Sequence, residues 1–128
     1  DWENTKALLG IDGLIVYPGA ELPVIEAIRL GAPGCISATA NLNSARIAEV
    51  ISLCQSGEWE AAAAKHESVC GIRKLFQEYA PIPAQKALLA RQSGQPSWNN
   101  LRPPFQPIAT ECVEALAESL DRQFGLKF

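Results

Sequence analysis

The groups in this chain that could do chemistry are few and scattered. They are one histidine, His66, four cysteines, Cys35, Cys54, Cys70 and Cys112, and a polar run, Asn41, Asn43 and Ser44, within the segment Gly31–Val50. The cysteines show no C-x-x-C spacing and no histidine at metal-ligand distance in sequence, so no metal site is expected. Cys54 and Cys70 fall on apolar helix faces, where a free thiol acts as a small hydrophobe. Reduced thiols and a cytoplasmic setting are therefore expected, not a disulfide framework. His66 sits among alanines in a helical pattern and reads as a packed or half-exposed helical residue. The polar run carries more. A Gly-Ala-Pro-Gly break, a short apolar stretch and then Asn and Ser mark a strand end meeting a helix start. In α/β proteins that junction is where ligands bind.

The elements that would position this junction follow from periodicity. Residues 3–9 read as a helix or its last turns. Leu14–Gly19, "LIVYPG", is a continuous β-branched and aromatic run ended by Pro18-Gly19, the pattern of a strand buried on both faces. "ELPVIEAIRLG" reads as a helix with Pro23 in its first turn, Val24, Ile25 and Ile28 as its stripe, and Gly31 after its end. Gly34–Ala40, "GCISATA", reads as a second short buried strand. Asn43 or Ser44 then caps a helix whose stripe is Ile47, Val50, Ile51 and Cys54. Strand–helix–strand–helix is the signature of a parallel sheet. Beyond Gly57 it stops: a long helix runs to Pro81 and Pro83, a shorter one covers "AQKALLARQSG", and a Pro-rich connector follows. Val113, Leu116, Ala117, Leu120 and Phe124 mark a last amphipathic helix. Trp59 and Trp98 read as packing residues, and Arg102 and Phe105 as anchors of the connector.

The bulk numbers fit one soluble globular domain: 128 residues, 48% hydrophobic, 20% charged and a net charge of −3. Lys and Arg form no run, which argues against nucleic acid. No apolar run approaches the roughly 20 residues that span a bilayer, and the first ten residues lack the pattern of a signal peptide. The chain has no Met, and a fragment or processed piece is expected. Two adjacent parallel strands would leave open edges on both sides. Such a pair belongs to a larger sheet, whose other strands come from a partner chain or from a preceding part of the protein.

The segments "LIVYPGAE", "GAPGCISATANLN", "GEWEAAAAKH" and "YAPIPAQKALLA" followed by "LRPPFQPI" resemble the carboxy-terminal part of the dihydrodipicolinate synthase and N-acetylneuraminate lyase family. The resemblance keeps element order over nearly the whole chain. It implies an α/β fold: the last two strands of a (β/α)8 TIM barrel plus a carboxy-terminal helical extension, mostly helical as a fragment. The division falls at residues 1–56 for the barrel units and 57–128 for the helical region. Leu14–Gly19 corresponds to strand 7 and Cys35–Ala40 to strand 8. A complete barrel takes about 250 residues, so the earlier strands would precede Asp1. In the family a glycine and an acidic residue or Asn close the sixth-strand segment that carries the Schiff-base lysine. Asp1 is similar to that last residue.

The family implies a pyruvate-dependent class I aldolase, a lyase or synthase that works through a lysine iminium without metal or organic cofactor. Lys6, Lys65, Lys74, Lys86 and Lys127 all lie in helical patterns or at the terminus, none at a strand end. The Schiff-base lysine and its relay tyrosine are therefore expected upstream, and no catalytic residue in this chain. Tyr17 and Tyr79 read as core or interface aromatics. Two substrate-binding positions carry over. Gly19 matches the glycine whose backbone lies beside the keto acid, and Ile36 the residue whose carbonyl faces the reacting centre. Outside the family, Gly19 reads as a turn glycine and Ile36 as ordinary core. Glu21 and Ala38 are possible substrate contacts, standing where sialate-cleaving relatives have Asp and a hydroxyl residue. A helix-start carboxylate is the plainer role for Glu21. Pyruvate or a related 2-keto acid is the expected partner of the full-length protein, and a homo-oligomer, dimer or tetramer, the expected assembly. The fragment by itself is expected to be inactive. The competing function is a non-catalytic helical module for oligomerisation or binding; a remoter one is a small helical regulatory domain.

Overall fold

The computed structural model describes residues 1–128. It contains six α-helices: α1 (Trp2–Leu9), α2 (Val24–Arg29), α3 (Ala40–Gln55), α4 (Trp59–Gln77), α5 (Pro81–Ser93) and α6 (Thr110–Phe124), with a 3-10 turn at Pro96–Asn99. The chain divides into two compact units, Asp1–Cys70 and Gly71–Phe128, with the boundary inside α4. This is a boundary of compactness. The division expected between residues 56 and 57, barrel units before it and a helical extension after it, is a different quantity.

In the first unit α2 packs on α3. Val24, Ile47, Val50, Cys54, Ala62 and Val69 form the buried core, with Ile51 and Trp59 against it. Of the stripe read from the sequence of α3, Ile47, Val50 and Cys54 belong to this core and Ile51 packs at its edge. Asp1 caps α1 by accepting from the Glu3 N–H at 3.1 Å. Gly31 follows the end of α2 at φ +98°, a conformation costly for any residue with a side chain. Helix α3 starts at Ala40, earlier than its sequence suggests. Non-helical backbone at Asn43 (φ −133°, ψ 23°) marks a kink, and the regular stretch begins beyond it. The Arg29 guanidinium lies 4.8 Å from the centroid of Trp59, giving that packing residue a cation–π partner.

In the second unit Pro81 and Pro83 open α5 instead of merely ending α4. Proline is tolerated in a first turn because the missing N–H has no partner there anyway. Helix α5 packs on the 3-10 turn and on α6. Ile72, Phe76, Leu88, Leu116 and Leu120 are all at most 1% exposed. Gly94 and Gly125, both with φ near +65°, close α5 and α6. Trp98 and Phe105 are 42% and 40% exposed, so neither is a packed anchor within this unit.

The two buried strands expected at Leu14–Gly19 and Gly34–Ala40 are not formed. The structure has no strand at all. One backbone hydrogen bond joins the segments, from the Ile36 N–H to the Pro18 carbonyl at 3.0 Å. A strand needs a succession of such bonds. Nor are the runs buried: Ile15 is 74% exposed and Ile36 70%. The reason is the absence of neighbours. Burial of a parallel strand on both faces needs adjacent strands and covering helices, and this chain supplies no further strand.

Candidate functional site

The junction singled out in the sequence lies in the first unit. The Ile36–Pro18 bond draws the segment that carries Gly19 alongside the one that carries Ile36. Gly19 is exposed, and a Cβ built on it would meet nothing within 4 Å. Its backbone is open to a small molecule. It borders a cleft of about 530 Å³ lined by Trp2, Thr5, Pro18, Ala20 and Leu22 among others. That volume falls within the ~300–1,000 Å³ range of small-molecule pockets. Ile36 and Ala38 are exposed on the neighbouring segment. Neither lines that cleft.

Glu21 lies two residues beyond Gly19 and is 0% exposed. Its carboxylate accepts hydrogen bonds from the hydroxyls of Ser37 and Thr39. The two hydroxyl oxygens are themselves 3.1 Å apart. Burying a carboxylate is costly unless donors replace water, and these hydroxyls do that. The side chain points into the protein and takes no part in the cleft wall.

Ser37 and Thr39 were not singled out in the sequence. A signal was present: in an extended segment, residues two apart share a side, so Ser37 and Thr39 present their hydroxyls together. The other missed link is His66, whose Nε2 lies 2.8 Å from the Glu21 carbonyl oxygen. The histidine is indeed half-buried on a helix, yet it reaches the site loop across 45 residues of sequence. Cys70, one turn further along α4, brings its Sγ to 3.4 Å from Nε2 and 3.7 Å from Nδ1.

All four cysteines are free, and no group of three or more His, Cys, Asp or Glu side chains is arranged to hold a metal ion. Burial raises the Cys54 thiol above its ordinary value, against the opposing pull of Arg29. No helix is long and apolar enough to cross a membrane. Of the lysines, Lys6 pairs with Glu3 at 2.7 Å within α1 and Lys65 with Glu49 at 2.8 Å. Lys86 donates to the Asn100 carbonyl. None lies on the segments 14–21 or 34–39. No lysine lines the cleft beside Gly19.

The fold matches solved (β/α)8-barrel enzymes. An N-acetylneuraminate lyase from Fusobacterium nucleatum, complexed with pyruvate, superposes with a TM-score of 0.81 at 18% identity, over 97% of this chain and 42% of that one. A dihydrodipicolinate synthase from Acinetobacter baumannii, also complexed with pyruvate, gives a TM-score of 0.77 at 26% identity, over 98% of this chain and 43% of that one. The class is that of these barrel enzymes, of which the chain covers less than half. The model of the dihydrodipicolinate synthetase family matches residues 3–123, and the chain belongs to that family. A 4-hydroxy-tetrahydrodipicolinate synthase from Acidithiobacillus ferrooxidans is 36% identical over 117 residues, 91% of this chain and 39% of the relative. One from Methanosarcina barkeri is 30% identical over 116 residues, 90% of this chain and 38% of the relative. The chain therefore spans less than two-fifths of these relatives' length.

Proposed function

We propose that this chain is the carboxy-terminal portion of a pyruvate-dependent class I aldolase, a lyase or synthase whose Schiff-base lysine lies upstream of it. The observation that carries the reading is the family match across residues 3–123, which includes both the Gly19 and the Ile36 segments. In the complete enzyme the lysine amine attacks the ketone carbon of pyruvate or a related 2-keto acid. Loss of water gives an iminium, which takes up the electron pair when the carbon–carbon bond at the adjacent carbon breaks; in the opposite direction loss of a proton from that carbon gives an enamine, which supplies the pair to the incoming carbonyl carbon. The proton transfers fall to a tyrosine outside this chain.

This portion would supply part of the pocket wall. Gly19 brings bare backbone beside the keto acid, and the Ile36 carbonyl faces the reacting centre. Ala38 adds a small apolar side chain nearby. Glu21 serves the wall from behind, tying the two segments through Ser37 and Thr39. The exposed Ile15 and Ile36 side chains and the unpaired backbone beside them would pair with the remaining strands of the barrel. Such a complete enzyme would assemble as a homo-oligomer, and neither a metal nor an organic cofactor has a role in this chemistry.

Borohydride reduction in the presence of pyruvate tests the reading. The expected result is no adduct on the 128-residue chain and a single trapped lysine in the complete enzyme, outside residues 1–128. A pyruvyl adduct on Lys6, Lys65, Lys74, Lys86 or Lys127 would overturn it.

A further inference from the structure

We infer that His66 is a positioning residue for the substrate wall: from α4 it pins the main chain of Glu21, and so sets the backbone of Gly19 that faces the keto acid. The inference rests on the aldolase reading above. His66 is the only histidine of the chain. Its Nε2 stands 2.8 Å from the Glu21 carbonyl oxygen. A carbonyl has no proton to give, so Nε2 carries the hydrogen and donates it. The Cys70 sulfur, 3.4 Å from Nε2 and 3.7 Å from Nδ1, packs against the ring from the same helix. The Glu21 carbonyl thus sets the direction of the ring.

Glu21 is held at both ends. Its carbonyl is gripped by α4, and its carboxylate by the hydroxyls of Ser37 and Thr39, which flank Ala38 on the segment that carries Ile36. Only Ala20 separates Gly19 from Glu21, so the Glu21 carbonyl acts on the Gly19 backbone through few rotatable bonds, the φ and ψ of Ala20 and Glu21. Rates and affinities in such sites respond to displacements of about 1 Å. His66 does not itself line the cleft beside Gly19, which makes its role positional.

Two variants of the complete enzyme test this. His66→Leu keeps bulk and removes the donor. His66→Gln offers an amide N–H at about the reach of Nε2. Loss of one hydrogen bond at this position is expected to raise KM for pyruvate about tenfold in His66→Leu, with kcat changed less than about twofold. His66→Gln is expected to recover most of the KM. Equal losses of Tm in both variants with KM unchanged would mean a purely structural histidine and would overturn the inference. Amide hydrogen exchange at Gly19–Leu22 reads the same link without turnover. Faster exchange in His66→Leu, restored in His66→Gln, supports the pin, and identical exchange in all three proteins rejects it. Wild-type enzyme that takes no pyruvate adduct while showing this exchange pattern would sink the aldolase reading and leave the pin standing.

Discussion

Thr39 and Glu21, 18 residues apart in sequence, meet in the interior of the first unit, where the hydroxyl donates to a carboxylate that solvent does not reach. Thr39 itself is 2% exposed. The pair ties the turn that follows the first expected strand to the segment expected as the second. In the absence of a ladder, side chains do the joining.

Removing either partner should therefore cost stability. Thr39→Val keeps the shape and takes one donor from a buried carboxylate, with an expected loss of about 1–3 kcal/mol. Glu21→Ala leaves two hydroxyls without their acceptor and opens a cavity, with an expected loss of about 3 kcal/mol or more. Urea denaturation of each variant checks this. A Glu21→Ala protein as stable as wild type would contradict the assignment of the carboxylate as the tie.

Gly71 and Phe124 make a second packing prediction. A Cβ on Gly71 would stand 2.6 Å from Phe124 Cζ and 2.9 Å from Cε1. Glycine inside a helix normally gives way to alanine with a gain of about 0.5–1 kcal/mol. Here the ring occupies the space, and Gly71→Ala is expected to lose about 1–3 kcal/mol. Phe124→Leu in the same background should recover part of that loss. Additive effects of the two substitutions in a double-mutant cycle would show that no clash exists.

The Cys54 thiol gives a pH dependence. Its burial raises it above the ordinary thiol value, outweighing Arg29, which favours the thiolate. The folded chain thus keeps this proton to higher pH than the unfolded chain. The stability tied to it is whole below the ordinary value and is lost as pH rises from there through the folded value. Urea midpoints from pH 7 to 10 should fall over that window, and the fall should be shallower in Cys54→Ala. At pH 8 a maleimide should modify half-buried Cys112 well before Cys54, which is 2% exposed. Cys54 reacting first would contradict the burial.

Ile15 separates folding of this chain from its assembly. It is 74% exposed, so Ile15→Asp should change the chain's own stability by less than about 0.5 kcal/mol. The same charge would fall where the proposed barrel pairs its strands. Co-expression with the lysine-bearing portion should yield a complex with wild type and none with Ile15→Asp. A complex formed equally well by both would remove Ile15 from the pairing surface.

Much of the helical architecture was legible in the sequence. Of the stripe Ile47, Val50, Ile51 and Cys54 all but half-buried Ile51 are buried, and of Val113, Leu116, Ala117, Leu120 and Phe124 the middle three are, with the outer two half-buried, because a helix repeats every 3.6 residues whatever it packs on. Gly31, Gly94 and Gly125 end helices for reasons local to the backbone. The order of segments was enough to indicate the family. The failures share one cause. The run Leu14–Gly19 is apolar enough for a buried strand, but strands exist only as partners in a ladder, and composition does not report whether the partners belong to the same chain.

The sequence by itself determined the helices, their apolar faces and the family, since these depend on residues near one another along the chain. Only the tertiary structure decided that Glu21 turns inward to Ser37 and Thr39, that His66 reaches its carbonyl, and that Ile15 and Ile36 stand in solvent. Each of those outcomes depends on what lies across space from the residue. A carboxylate faces water or protein according to which donors are brought beside it, and an isoleucine is buried only when another surface arrives to cover it.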